Sequence, residues 1–117
     1  MTIEALEHRI IDCVKPLNAE RIIIFGSMVY GKPDNDSDID ILIVTSDTMI
    51  PASLHDFLKL KRQYSDALNI VRDDFPIDLI LHTLPMYRKF IELGSSFSRE
   101  ILSKGKVIYE RNNQAVA

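Results

Sequence analysis

Tryptophan is absent from this 117-residue sequence, cysteine occurs once, glycine four times and proline five times. The lone Cys13 has no partner for an internal disulfide, which excludes the cross-linked framework of a small secreted module. Glycine and proline are too few and too scattered to mark an interdomain linker, and no repeat or low-complexity tract stands in for one. No apolar run approaches the roughly 20 residues needed to cross a bilayer. The opening "MTIEALEHRI" carries two acidic residues where an export signal needs a basic flank and a long apolar segment. These absences lead to the expectation of a cytoplasmic protein with no membrane association. Basic charge is also short: 14 Lys and Arg stand against 17 Asp and Glu, a net charge of −3, so no general positive field draws nucleic acid to the surface. His8, His55 and His82 are far apart and lack the spacing of zinc ligands.

What the chain does have is 46% hydrophobic and 26% charged residues, the balance of a globular domain. At this length one core is expected, burying about two-thirds of the unfolded surface. The domain is placed at residues 1–111, with 112–117 ("NNQAVA") as a frayed tail. Ile3, Leu6, Ile10, Cys13 and Leu17 recur at helical spacing, which places Cys13 in the core rather than among reactive thiols. "RIIIF" (21–25) reads as a short buried strand ended by Gly26, and residues 37–44 as a second. Leu54, Phe57, Leu58, Leu60, Tyr64, Leu68 and Val71 predict one long helix between Pro51 and Asp74, stopped by Pro76. "PIDLILHT" is a third strand, residues 85–103 one or two helices broken near Gly94, and "KVIYE" a last short strand. The fold class is therefore α/β, a mixed sheet of about four strands flanked by helices.

The chemistry concentrates in "RIIIFGSMVYGKPDNDSDIDILIV". Side chains alternate along a strand, so Asp38 and Asp40 share a face, with Cα atoms about 6.5 to 7 Å apart, while Ile39, Ile41 and Ile43 face the core. Like charges at the mouth of a buried strand are unfavourable unless something compensates them, and hard carboxylate oxygens suit Mg²⁺. Taken alone, "DNDSD" also fits a solvated polar turn. Gly26 and Ser27, directly after a buried strand, can offer backbone N–H groups and a hydroxyl to phosphates, and a helix beginning in residues 27–31 would add its dipole. An ordinary tight turn is the alternative. Asp78 opens the third strand on one face with Ile80 and His82. If that strand lies beside residues 37–44, three carboxylates converge, as two-metal phosphoryl chemistry needs, and Asp78 could take a proton from an attacking hydroxyl.

Gly26-Ser27, ten residues, then Asp38-Ile39-Asp40 resembles the signature of the DNA polymerase beta-like nucleotidyltransferase superfamily, and most of all its minimal nucleotidyltransferase branch. The similarity runs on through the long helix, the Asp78 strand and "ILSKGKVIYE". The resemblance implies a single small palm-type domain that transfers a nucleoside monophosphate, AMP from ATP in the usual case, to an acceptor hydroxyl with release of pyrophosphate. It implies that Asp38, Asp40 and Asp78 are the catalytic, metal-holding carboxylates, with two Mg²⁺ ions, and that Gly26 and Ser27 contact the triphosphate. For the minimal branch it implies an antitoxin whose partner and acceptor is a HEPN-domain toxin, modified on a tyrosine hydroxyl.

Family members often read Gly-Ser-Tyr-Ala-Arg-Gly where this chain has "GSMVYG", which puts Tyr30 at the place of an arginine. Lys32 or Arg62 are the candidates to replace that cation, and Tyr30 is either a packed ring or a stacking surface for a base. The departure keeps a rival in view: a weakly catalytic binding subunit that neutralises a HEPN partner by complex formation. An aminoglycoside nucleotidyltransferase fits less well, since such enzymes usually carry an additional helical domain. "LKLKRQY" is basic and reads as a solvated helix face before an acceptor-binding patch.

Overall fold

The computed structural model describes residues 2–26 and 38–111. Helix α1 (Ile3–Val14) starts where the Thr2 hydroxyl accepts the Ala5 N–H at 3.0 Å, and it buries Leu6, Ile10 and Val14. A single 3-10 turn, Lys15–Leu17, closes on Asn18 at φ 65° and hands the chain to β1 (Arg21–Phe25). Strand β2 (Ile39–Val44) follows, then α2 (Leu54–Ala67), the short α3 (Asn69–Arg72), β3 (Ile77–His82), α4 (Leu84–Leu93), α5 (Ser96–Lys104) and β4 (Lys106–Glu110). The one or two helices expected over 85–103 are two, and they part at Gly94 as expected, at φ 57°, a left-handed helix end that glycine adopts without Cβ strain.

The four strands form one mixed sheet in the order β3-β2-β1-β4. β1 is antiparallel to both β2 and β4, while β2 and β3 run parallel, joined by a crossover that contains α2 and α3. One sheet face, from Ile22, Ile24, Ile39, Ile41, Ile43, Leu79 and Leu81, packs on α1 and on Tyr64, Leu68 and Val71. The opposite face, from Ile23, Phe25, Leu42 and Val44, is covered by Tyr87 of α4 and Ile101 of α5. Helices on both faces explain why the strands are near-continuous apolar runs. No described helix is long and apolar enough to cross a membrane.

One expected element divides differently. The helix predicted between Pro51 and Asp74 breaks at Leu68 (φ −91°, ψ 2°), and Arg72 reaches back to donate to the Ser65 carbonyl at 3.0 Å and to its hydroxyl at 3.0 Å. The kink turns Val71 into the core beside Leu68, both fully buried. Leu54 and Leu58, counted on the apolar face by spacing, are instead 72% and 51% exposed. Cys13 packs at the margin of the core, and burial pushes its thiol above its ordinary value, against the opposing pull of Arg9. The tail at 112–117 lies outside the described residues.

Candidate functional site

The strand directions gather one end of the sheet. β1 finishes at Phe25 and Gly26 where β2 and β3 begin, and the Ile39 N–H donates to the Pro76 carbonyl at 2.8 Å, which pins the two strand entries together. In that register Asp40 pairs with Asp78 across the parallel ladder and with Phe25 across the antiparallel one. Asp38 sits just before β2. Asp38 and Asp78 are exposed and Asp40 is half-buried. The alternation read from sequence holds: Ile39, Ile41, Leu79 and Leu81 join the core of one face, leaving Asp40 and Asp78 on the face of Leu42, Ile80 and Phe25.

Asp40 is the electrostatic centre of this end. Its carboxyl is pushed above its ordinary value first by burial, then by the charges of Asp78 and of Asp38. Among the described residues none of the three carboxylates is in an ion pair; the four salt bridges, Arg9–Asp74, Arg21–Glu110, Lys106–Glu7 and Arg111–Glu20, all lie elsewhere. Arg62, a candidate to supply the missing cation, lines a groove of about 690 Å³ along α2 with His55, Leu58 and Lys59, and among the described residues it forms no ion pair with the three carboxylates. Ser27, Tyr30 and Lys32, and the helix expected to begin in residues 27–31, lie outside the described residues.

Gly26 is described, and its role has a geometric cause. Its φ is +81°, and a Cβ built on it would stand 2.0 Å from Oδ2 of Asp40. The carboxylate therefore occupies the space that any side chain at position 26 would fill. Sequence reasoning chose Gly26 for phosphate approach; the structure adds that the same bare Cα makes room for Asp40.

The donor set suits a hard divalent cation: anionic oxygens, mutually repelling, with no basic side chain among the described residues paired to them. As the side chains stand, the described residues contain no group of three His, Cys, Asp or Glu closed around one point. Chemistry of the donors, rather than a preformed cage, is what fits a metal here.

His82, on the same strand face as Asp78 but at the far end of β3, belongs to a different environment. Its ring centroid lies 4.9 Å from that of Phe90 and 6.2 Å from that of Tyr87, both tilted, its buried Nδ1 has no partner among the described residues, and burial lowers its pKa. It is no ligand of the carboxylate end. Phe97 of α5, which sequence reading passed over, stands against Phe25 with ring centroids 5.9 Å apart. Only the fold brings that pair together, since no local pattern connects positions 25 and 97.

The class follows from strand order, paired carboxylates and the glycine turn together. The family described as Polymerase beta, Nucleotidyltransferase matches residues 8–114, and the chain belongs to that family. Solved structures share its fold. A toxin–antitoxin with AMP-PNP is 22% identical at a TM-score of 0.55, covering 92% of this chain and 76% of that one. A mutant of the toxin–antitoxin MntA–HpeT is 20% identical at 0.52 with the same coverage, and a minimal nucleotidyltransferase 19% identical at 0.52, covering 89% and 90%. No curated protein matches by sequence.

Proposed function

We propose that the protein is an Mg²⁺-dependent nucleotidyltransferase of the antitoxin kind, which moves AMP from ATP to a hydroxyl, a tyrosine of a HEPN-domain toxin, and so silences it. The observation that carries the reading is the register of Asp40 on Asp78, with Asp38 one residue before the strand and, among the described residues, no cation paired to any of them. The toxin–antitoxin structures that share the fold support the antitoxin role, and the AMP-PNP carried by one of them supports an adenine nucleotide.

In this reading the acceptor oxygen attacks the α-phosphorus, the bond from that phosphorus to the β-bridging oxygen breaks, and pyrophosphate leaves. Asp78, exposed at the strand mouth, takes the hydroxyl proton. Asp38, Asp40 and Asp78 would hold Mg²⁺, which when bound neutralises the triphosphate and the developing charge. Gly26 leaves Asp40 room to face the phosphates, and Gly26 with Ser27 contacts the triphosphate. A partner that presents its own hydroxyl supplies proximity and orientation that this small domain lacks.

The test is to incubate the purified protein and the helical protein encoded beside it with ATP labelled at the α- or the γ-phosphate. Label should reach the partner from the α position alone, require Mg²⁺, and disappear with Asp78→Asn; intact mass should rise by one AMP. The presence of Tyr30 at the usual arginine position favours the rival, a binding subunit that neutralises by complex formation. A partner left unmodified yet inhibited equally by the Asp78→Asn variant would establish that rival.

A further inference from the structure

Among the described residues Phe97 is the one phenylalanine or tyrosine left exposed, at 46%. It is not a loose surface ring. Phe25 holds it at 5.9 Å and Phe90 at 6.2 Å, each with planes 79° apart. Phe25 is buried at 8% exposure, and Phe90 packs half-buried on the same cluster. Two rings therefore fix Phe97 from behind and leave the rest of it to solvent, so little rotamer freedom is left to lose on binding.

Its position is set by the sheet. Phe25 is the direct partner of Asp40, and partners on one face have Cβ atoms about 4.5–5.5 Å apart. Phe97 thus lies one ring beyond the neighbour of the carboxylate at the centre of the site. A nucleoside triphosphate has an anionic end, which needs the metal-bearing carboxylates, and a flat aromatic end separated from it by a ribose. We propose that Phe97, backed by Phe25, is the stacking surface for the nucleobase of the triphosphate held at Asp40. This inference rests on the nucleotidyl-transfer reading and adds to it the base-contacting residue. Because every base has a π-face, a phenylalanine platform binds without choosing among bases.

The experiment is calorimetric titration of wild type, Phe97→Ala, Phe97→Leu and Phe97→Tyr with ATP, GTP and inorganic tripolyphosphate, each with Mg²⁺; tripolyphosphate is the probe without a base. Loss of stacking should weaken ATP and GTP about 5- to 150-fold in the Ala and Leu variants. Tripolyphosphate affinity should not move, and Phe97→Tyr should retain wild-type binding. Melting curves identify any variant that fails to fold, and the Leu and Tyr forms keep the comparison available if Ala does. An equal fall for tripolyphosphate would overturn the inference, as would unchanged ATP binding in the Ala and Leu variants. Wild type binding ATP no more tightly than tripolyphosphate would overturn the stacking role alone. Wild type binding neither would overturn the nucleotide reading as well.

Discussion

Gly26 and Asp40 share one small volume, and each constrains what the other can be. Gly26→Ala would place a Cβ in left-handed backbone and 2.0 Å from Asp40 Oδ2. We expect it to displace the carboxylate and abolish Mg²⁺-dependent nucleotide binding by calorimetry, at a stability cost of about 1–3 kcal/mol from strain and overpacking in denaturant titrations. Asp40→Asn should do the opposite to stability while also ending transfer. The folded state raises the Asp40 pKa above its ordinary 3.8. It therefore binds that proton more tightly than the unfolded chain does, and stability is lost as pH rises through the raised value. In metal-free buffer the melting temperatures of wild type and Asp40→Asn should coincide below pH 3.8. They should separate as the carboxylate ionises, with the variant higher at neutral pH. A variant that melts lower at pH 7 would show that Asp40 accepts structural hydrogen bonds.

The elements that hold this site were legible in unequal measure. The strand periodicity of "DIDILIV" and "PIDLILHT" placed Asp40 and Asp78 on the strand face opposite Ile39, Ile41, Leu79 and Leu81, because period-two alternation is a property of the strand itself. Their register could be stated only conditionally, since parallel pairing across a crossover is decided by packing and not by neighbouring residues. The same limit hid Phe97. Spacing overstated the buried stripe of α2: Leu54 and Leu58 fit the helical period yet are exposed, while Tyr64, Leu68 and Val71, at and beyond the C-terminal end of that helix, are the positions that reach the core. Gly105, at the junction of α5 and β4, is another tertiary constraint that composition conceals. A Cβ there would meet the Ile101 carbonyl oxygen at 2.4 Å and Ile23 Cγ2 at 2.8 Å. Gly105→Ala should cost about 1–3 kcal/mol in denaturant unfolding, since the carbonyl belongs to the helix backbone and cannot turn aside. A change under about 0.5 kcal/mol would mean that the α5–β4 corner yields freely.

At the scale of the molecule, the acidic mouth and the anionic triphosphate repel until a divalent cation lies between them. ATP with Mg²⁺ should therefore raise the melting temperature, and ATP with excess chelator should not; equal shifts would remove the metal from the proposal. A longer-range consequence comes from the sheet order β3-β2-β1-β4, in which β1 is an inner strand yet receives its second neighbour from β4, the last of the described strands. On the ribosome "RIIIF" emerges early and finds β2 soon after, but Lys106 follows Phe25 by about 80 residues, a wait of several seconds at about 5–20 residues per second. Throughout that interval the outer edge of β1 is an apolar, proline-free template open to other nascent chains. The yield of soluble protein in a cell then depends on how promptly β4 arrives, and chains halted before Lys106 should collect in the insoluble fraction.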